Sequence, residues 1–433
     1  MCENMQTHRN DAFGEEYVEF THPSGVLVFV YQKSFVSTYA MFTTRYGSFH
    51  NTFRLADGEW THVPDGVAHF LEHKLFEDES GEDTFEKFTA LGASANAFTS
   101  NEMTSYLFSS SGAVLDALHL LLSFVMKPYF TDENVKKERG IIEQEIEMYR
   151  DRPASRLYHA VLEGLYQKHN IRIDIAGSKE SIAKITPETL YSCYNTFYHP
   201  SNMILTVVGN LTPQEVYDAL DDVLGSEVRD AQSIECREQS EPLAPNAAYT
   251  SFSMEISKPM LAIAAKDRTI FESAHERLRH GYAVTILLRL LFGRSSPFYN
   301  SLYERSLISQ SFTGYYEWFN TCAYWCVEGE SDDVDTVFSE IESFLSRISE
   351  EIPFTEEDFL RVKRAFYAEA VRILESAEAL AYELTDTKIH GVTLWEVWDA
   401  IREVSYEDIL QLIKDFFKLQ ESVRVVILPT EKQ

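Results

Sequence analysis

The stretches Pro128-Tyr129-Phe130-Thr131-Asp132-Glu133 and Ile352-Pro353-Phe354-Thr355-Glu356-Glu357 decide the fold prediction, because both open a long helical pattern in the same way. Their Phe residues are separated by 354 − 130 = 224 residues. Around both stretches the elements follow one order: a β-rich start, a helix, strand-like residues, further helices and a closing apolar strand. Self-similarity of this kind indicates that one structural unit has been duplicated.

The elements around the two stretches also predict the fold class. The closing strands cover 202–208 and 423–428, and strands come before and after the helices instead of alternating strictly with them. This order predicts an α+β protein with two homologous domains, each a mixed or antiparallel sheet with helices packed on one face. Residues 25–32 and 36–46 are β-rich and are expected to pair as a hairpin.

The domain boundaries are predicted from a change in composition. Residues 226–247 are polar, contain Pro242 and Pro245 and lack periodicity, which predicts an interdomain linker. The predicted domains are therefore 1–225, with the chemistry described below, and 248–433.

The charge of the chain limits its partners. Among 433 residues, 38 Lys and Arg against 68 Asp and Glu give a formal net charge of −30. Nucleic acids and anionic membrane surfaces bind clustered cations, so the acid excess argues against both as partners. A solvated surface is the favoured explanation of the charge, and a preference for basic substrates is the alternative.

The composition also predicts the compartment. Five Cys in a chain of this length do not make a disulfide framework. The first residues lack the apolar core of a signal peptide, and no run approaches the ~18 apolar residues of a membrane span. We therefore expect a cytoplasmic protein.

The sharpest chemical feature is the motif His69-Phe70-Leu71-Glu72-His73. On a helix, residues i and i+4 lie on one face, so the two imidazoles are able to share one metal ion with Glu72 beside them. The pattern is H-x-x-E-H, the reverse of H-E-x-x-H. A catalytic zinc ion takes three protein ligands and keeps one open position, so the motif lacks one ligand.

Candidates for the missing ligand lie on the helix predicted after Asp132. At about 100° per residue, Glu138 and Glu145 lie within about 20° of each other, whereas Glu143 and Glu147 lie on the opposite face. The first pair shares its side with apolar residues, namely Ile141, Ile142, Met148 and Tyr149. Carboxylates that point into an apolar interior need a cation or hydrogen bonds, so this pair is predicted to supply a metal ligand and its supporting group.

An alternative for the motif is structural, because H-x-x-E-H occurs by chance and a His on a core-facing helix is usually a hydrogen-bonded core residue. The two inward carboxylates on a second helix favour the metal site. Aligning Leu75-Phe76 with Leu291-Phe292 places Thr285, Leu288 and Arg289 opposite the motif, so the second domain is predicted to lack the site. No Gly-rich phosphate loop is present, so no other cofactor is expected.

Together these residues resemble the pitrilysin/insulinase (M16) family of zinc peptidases. The likeness rests on the H-x-x-E-H motif, on Glu138-Arg139 with Glu145, and on the segments 93–99 and 197–203. The segments 72–77 and 292–297 extend it, and the whole chain is similar to the YmfH-like bacterial branch of this family.

The resemblance implies a zinc-dependent endopeptidase that hydrolyses peptides or unfolded polypeptide segments and holds one Zn²⁺ per chain. It implies His69, His73 and Glu145 as the metal ligands. It also implies Glu72 as the general base and proton shuttle and Glu138 as a second acid that supports the site.

The resemblance further implies a binding strand for the substrate. In the family a peptide lies along an edge strand of the catalytic domain, and Asn96 and Ala97 match that strand. Pairing of main chains would give affinity that tolerates many sequences. The alternative for Asn96 is a residue of a turn or bulge.

The chain departs from the family in its second half. Relatives carry an Arg and a Tyr there, which hold the substrate and the developing oxyanion. In this chain Tyr303 stands at the Arg position, the Tyr position falls near Ser309 or Gln310, and Arg305 would substitute only through a register shift. We therefore expect a closed clamshell formed as a heterodimer with a metal-free M16-like subunit that supplies the pair, with a homodimer as the alternative.

Two other functions stay open. One is a structural subunit that retains the M16 fold. The other is a subunit that binds peptides without turnover. The complete motif with its base argues against a purely structural role, because a scaffold has no need for Glu72.

Overall fold

The computed structural model describes residues 5–56, 58–79, 81–237 and 239–430. The strands of this part of the chain are β1 (Gln6–Asn10), β2 (Glu15–Thr21), β3 (Leu27–Gln32), β4 (Thr38–Thr44), β5 (Thr52–Leu55), β6 (Thr61–His62), β7 (Ala93–Thr99), β8 (Thr104–Ser110), β9 (Met203–Gly209), β10 (Ile234–Cys236), β11 (Tyr249–Met254), β12 (Met260–Asp267), β13 (Thr313–Trp318), β14 (Ala323–Glu330) and β15 (Val423–Pro429). The α-helices are α1 (Val67–Leu75), α2 (Thr84–Ala90), α3 (Val114–Val125), α4 (Asp132–Arg150), α5 (Pro153–Leu165), α6 (Lys179–Ile182), α7 (Pro187–Phe197), α8 (Pro213–Leu224), α9 (Ala274–Phe292), α10 (Pro297–Glu304), α11 (Val334–Arg347), α12 (Glu356–Val371), α13 (Ala377–Ile389), α14 (Leu394–Glu403) and α15 (Tyr406–Asp415). Within these ranges, no helix combines the length and apolar character that crossing a bilayer requires.

The two matching stretches of the sequence each lead into a long helix. The first leads into α4 and the second into α12, whose N-cap Thr355 accepts a hydrogen bond from the backbone of Asp358. The contacts between residues divide the chain into two packing units. Unit 1 takes its described residues from Met1–Glu147, Ile173–Arg237 and Ile373–Ile389, and unit 2 takes the others.

Unit 1 is built on a seven-stranded sheet with the order β1-β2-β3-β9-β4-β8-β7. Only β3 and β9 run parallel, and the other neighbours are antiparallel. Strand β7 is therefore an edge strand. A small second sheet has the order β10-β5-β6.

The predicted hairpin of 25–32 and 36–46 is wrong, although both segments are strands. Strand β9 lies between β3 and β4, with Leu27 opposite Ile204 and Tyr39 opposite Val208. The fully buried β9 comes from more than 150 residues further along the chain. Local patterns identify strands but do not identify partners so distant in sequence.

The two faces of the unit 1 sheet are covered differently. On the core face, Phe42 and Phe108 are fully buried together with Leu118 and Leu121 of α3. On the other face lies α13, where the Oγ1 atoms of Thr206 and Thr385 are 2.8 Å apart. The predicted α+β class is confirmed. Helices were expected on one face of each sheet, and in unit 1 helix α13 lies on the second face as well.

Unit 2 repeats the plan with a five-stranded sheet of order β11-β15-β12-β14-β13, in which only β11 and β15 are parallel. Trp325 and Val327 lie in its core with Leu287 of α9. Helix α5 packs against β12 and β15 so closely that a Cβ on Gly164 would lie 2.5 Å from Val423. Any larger residue at this position would push the helix away from the sheet.

The packing units interleave along the chain. Helix α5 follows α4 in sequence but belongs to unit 2, and α13 returns from the second half to unit 1. The predicted boundaries 1–225 and 248–433 are continuous, so they differ from the packing units at both helices. As the limits of the duplicated segments they stay a prediction.

The predicted linker 226–247 carries ordered contacts. Strand β10 pairs with β5 inside unit 1. In unit 2 the carboxylate of Glu241 accepts hydrogen bonds from the backbone N–H groups of Gln167, Lys168 and His169, at 2.8, 2.8 and 2.9 Å. The ammonium of Lys266 donates a fourth bond to it, at 2.8 Å. Polar composition predicted a linker here, and these donors hold the carboxylate of Glu241 in one place.

The Glu241→Gln chain is expected to lose about 2 kcal/mol of stability near pH 7. Burial alone would raise the pKa of Glu241, but the N–H donors and Lys266 lower it from 4.5 to about 2. Because the folded-state pKa lies below the ordinary value, the stabilisation is present above pH 4.5 and is lost as the pH falls towards 2. Thermal unfolding at several pH values measures this. The exposed Glu255→Gln is the control, and a deficit that did not shrink in acid would contradict the assignment.

Candidate metal centre

Helix α1 brings the two histidines of the motif together. Phe70 and Leu71 are fully buried in the core of unit 1, which fixes the rotation of the helix. His69 and His73 lie one turn apart on another face, and their ring centroids are 4.6 Å apart. The helical repeat alone therefore delivers two imidazoles to one point, as predicted.

Helix α4 supplies the third donor. The Oε2 atom of Glu145 lies 3.6 Å from the Nε2 atom of His69 and 3.4 Å from the Nε2 atom of His73. The potential ligand atoms of the three residues all lie within 4.8 Å of one another. Two elements that are far apart in sequence thus converge on one small volume.

The donor set fits a zinc ion. The buried Oε2 atom of Glu145 has no hydrogen-bond partner among the described residues. Its distances to the two nitrogens are close to the ~3.3 Å edge of a tetrahedron whose ligands lie about 2.0–2.1 Å from zinc. Two imidazole nitrogens and one carboxylate oxygen are also a ligand set that catalytic zinc uses, with the fourth position open.

Glu138 lies behind His73 and fixes its orientation. Its Oε1 atom is 3.0 Å from the Nδ1 atom of His73, so the Nε2 atom is left to face Glu145. Burial alone would raise the pKa of Glu138, but the hydrogen bond with His73 lowers it. A carboxylate in this position sets the imidazole tautomer and raises its basicity, as outer partners of metal ligands do.

The charges around the site favour a cation. The imidazole of His73, whose Nε2 atom lies 3.4 Å from the Oε2 atom of Glu145, lowers the pKa of that carboxyl. Burial would lower the pKa of His73, but Glu138 and Glu145 raise it to about 10. Both carboxylates are therefore ionised and draw positive charge to the point where the donors meet, which a divalent metal would supply.

Glu72 lies beside the three donors on α1. Its Oε2 atom accepts a hydrogen bond of 2.6 Å from the hydroxyl of Thr99, at the end of β7. Burial raises the pKa of Glu72, although the bond from Thr99 partly opposes this. Sequence reasoning assigned no role to Thr99, and its position three residues after Asn96 was the only signal available.

A buried lysine also escaped the sequence reading. Lys74 is fully buried on α1 and forms an ion pair with Glu77. Its charge also lowers the pKa of Glu138. A Lys between the core residues Leu71 and Leu75 was the available signal, because Lys is almost never buried without a partner.

Both halves of the chain match models of one protein family. Residues 61–179 match the family model described as Insulinase (Peptidase family M16), and residues 184–366 match the model described as Peptidase M16 inactive domain. The chain is 39% identical to the uncharacterized zinc protease YmfH of Bacillus subtilis (strain 168) over 386 residues, which cover 89% of this chain and 90% of that protein. The chain belongs to the M16 peptidase family.

Solved M16 structures share the whole fold. The crystal structure of a putative M16-like peptidase from Alicyclobacillus acidocaldarius is similar with a TM-score of 0.90 and 33% identity, covering 98% of this chain and 99% of that one. A protease from Helicobacter pylori is similar in fold, with a TM-score of 0.82, 19% identity and coverage of 96% and 100%. These similarities confirm the predicted two-domain M16 architecture.

The third donor of this M16 chain lies at the border of the core, which corrects one prediction. Ile142 and Ile146 are buried, so the core-facing stripe of α4 is centred on them. Glu138 is itself buried, and Glu145 is half-buried at the edge of this stripe. Three apolar residues that were expected beside them in the interior are exposed: Ile141, Met148 and Tyr149. The expected apolar interior is therefore wrong on that side, and the histidines compensate the carboxylates.

The strand predicted to bind substrate is at the edge of the M16 sheet. Asn96 and Ala97 belong to β7 and pair regularly with Leu107 and Tyr106 of β8. The alternative of a turn or bulge at Asn96 is therefore wrong. Asn96 is exposed, whereas Ala97 packs against the core. Their role in binding a peptide stays a prediction.

The residues at or near the family's Arg and Tyr positions lie in the second half of the chain. Tyr303 is exposed on α10. The guanidinium of Arg305 donates a hydrogen bond of 2.7 Å to Glu340, and the hydroxyl of Ser309 donates one of 3.1 Å to Glu330. Arg305 is thus held inside unit 2.

Arg289, which aligns with His73, makes a contact within the second half of the chain. Arg289 donates a hydrogen bond of 2.8 Å to Glu369. Among the residues that the structure describes, only His69, His73 and Glu145 form a group of three possible metal ligands.

Proposed function

We propose that this M16 protein is a cytoplasmic zinc-dependent endopeptidase that hydrolyses peptides or unfolded polypeptide segments. The observation that carries the proposal is the convergence of the Nε2 atoms of His69 and His73 with the Oε2 atom of Glu145, beside the carboxylate of Glu72. The name zinc protease, which is given to the relative from Bacillus subtilis, supports the same chemistry.

His69, His73 and Glu145 would hold the zinc ion, one per chain. Zinc in that position supplies a Lewis acid that polarises the scissile carbonyl and acidifies the attacking water. Glu138 keeps His73 in the tautomer that presents Nε2, through the 3.0 Å contact with Nδ1. The three ligands and this supporting carboxylate come from only two helices, so their geometry is set before substrate arrives.

Glu72 is the general base of the proposed reaction. Its carboxylate accepts a proton from the attacking water and returns that proton to the leaving amine. Burial raises its pKa, which helps Glu72 to hold the proton between the two steps. The hydroxyl of Thr99 fixes one carboxylate oxygen and leaves the other for the proton.

Strand β7 is the proposed binding strand for the substrate. An extended peptide would add to the sheet edge at Asn96 and Ala97, and Thr99 at the end of the same strand contacts Glu72. Main-chain pairing along β7 would lead the peptide towards the base.

The proposed active form is a heterodimer in a clamshell arrangement. Tyr303 stands where relatives are expected to carry the Arg, and the nearby Arg305 pairs with Glu340. A metal-free M16-like subunit would supply the Arg and Tyr that hold substrate and oxyanion, and a homodimer is the alternative. Hydrolysis at full rate by the purified chain alone would rule out the heterodimer.

The second candidate is a non-catalytic subunit that has a structural role or binds peptides. The missing Arg/Tyr pair favours it. Substitution of Glu72, described in the Discussion, separates the two candidates.

Measuring the zinc content of the chain and its hydrolysis of peptides tests the proposal. After loading and dialysis, the chain is expected to retain about one zinc ion, as a site with three protein ligands does. Hydrolysis of internally quenched peptides, with a lysate fraction that contains M16-like partners if required, should stop with a chelator and return with zinc. A chain that takes up no zinc would contradict the proposed function.

A further inference from the structure

A cleft lies beside the proposed binding strand, on the sheet face opposite the core of unit 1. It has a volume of about 680 Å³ and lies between strands β4, β7 and β8 and helix α13. All of its lining residues belong to unit 1. Because α13 comes from the second half of the chain, local sequence patterns contain no sign of this cleft.

The strand side of the cleft is continuous with the edge of β7. Asn96 and Phe98, two residues apart on β7, both line it, as do Tyr39 and Met41 of β4. A peptide strand paired with β7 would direct every second side chain to this same face. A side chain opposite Asn96 would have its Cβ within about 4.5–5.5 Å of that residue, at the mouth of the cleft.

The helix side of the cleft carries negative charge. Glu378 and Glu383 line it, and none of the described lining residues is Lys, Arg or His. Burial and then Glu378 raise the pKa of Tyr39, so the phenol stays protonated beside that carboxylate. Tyr39 and Glu378 both line the cleft, so a side chain that enters it would meet both.

The remaining walls are aromatic and aliphatic. The rings of Phe98 and Tyr382 have centroids 6.0 Å apart, and Met41 lies on the same face of the sheet. Such a surface packs against the methylene stem of a long side chain, while a terminal cation would reach the carboxylates. Aromatic faces add an attraction for that cation.

We propose that this cleft receives a Lys or Arg side chain from a peptide strand paired with β7, so that the protein prefers basic peptides. The proposal rests on the proposed peptidase function and names the substrate class for the same site. An aliphatic side chain would use the aromatic walls but bring no positive charge to the carboxylates. An acidic side chain would be repelled by them.

Binding by the full-length, zinc-loaded Glu72→Gln chain tests the proposal without turnover. The probes are labelled peptides of one framework that differ at one position, which holds Lys, Met or Glu. The Lys peptide is expected to bind about tenfold more tightly than the Met peptide, which is the gain that one charge-assisted hydrogen bond gives. The Glu peptide should bind more weakly than both.

Two further variants in the same background assign the preference to the cleft. Glu378→Gln with Glu383→Gln should remove the advantage of Lys and leave the affinity for the Met peptide unchanged. Glu375→Gln, an exposed residue just before α13 that does not line the cleft, should keep the preference. Equal affinity for the Lys and Met peptides, or a preference that survives the double substitution, would overturn the inference. Hydrolysis by the wild-type chain without a preference for Lys would overturn this inference and leave the proposed function intact.

Discussion

The Glu72→Gln chain is expected to fold and bind zinc normally but to hydrolyse peptides about 10²–10⁴ times more slowly than the wild type. The amide has nearly the shape of the carboxylate and still accepts the hydrogen bond from Thr99, which is 2.6 Å long in the wild type. It is unable to take a proton from water at neutral pH. The loss should therefore appear in kcat, with little change in KM, because the peptide edge at β7 is unaltered.

The measurement compares kcat, KM and zinc content with those of the wild type and of a charge-matched control. Glu86→Gln, on the exposed side of α2, removes one exposed carboxylate outside the motif and should keep the full rate. If Glu72→Gln retained the wild-type rate, Glu72 would not be the base. If the wild type were also inactive with every partner, the non-catalytic candidate would be favoured.

The Glu145→Ala chain is expected to lose zinc. Removing the carboxylate leaves only two imidazoles, and two ligands are one fewer than catalytic zinc sites use. The loss of affinity should exceed the 10–100-fold that removal of an outer partner of a ligand costs. Zinc that binds only the folded state stabilises by about 4 kcal/mol at 1,000 times its Kd, so the zinc-dependent rise in Tm should disappear.

Two neighbours on α4 sharpen this test. Glu143→Ala, on the face opposite the donors, should keep the zinc-dependent rise in Tm and the bound metal. Glu138→Ala should weaken zinc binding but retain it, because Glu138 contacts the Nδ1 atom of His73 and not the point where the donors meet. If Glu138→Ala bound no zinc while Glu145→Ala still bound it, Glu138 would be the metal ligand and Glu145 the supporting carboxylate.

The candidate site shows where sequence reasoning succeeds. His69, Glu72 and His73 lie within five residues, and one helical turn brings the two imidazoles together whatever the rest of the fold does. The separation of Glu138 and Glu145 by two turns also places both on one side of α4. The helical repeat does not say which of the two carboxylates is the metal ligand. The family resemblance implied Glu145, and the distances from its Oε2 atom to both Nε2 atoms support that choice.

Other parts of the site depend on contacts between distant residues. The hydrogen bond from Thr99 to Glu72 joins the end of β7 to α1. The burial of Lys74 depends on the core beneath α1, and the cleft depends on a helix more than 200 residues away from β7. No local period encodes such distances, so none of these features was predicted.

The sequence by itself determined several long helices, several of the central strands, the duplicated plan and the pair of histidines, because all of these follow from short-range periodicity and internal repetition. Only the tertiary structure decided that β9 separates β3 from β4 and that α5 and α13 pack away from their neighbours in sequence. Strand pairing and helix docking are chosen by burial against partners that lie far along the chain. The energy that selects them exists only when the whole core is assembled.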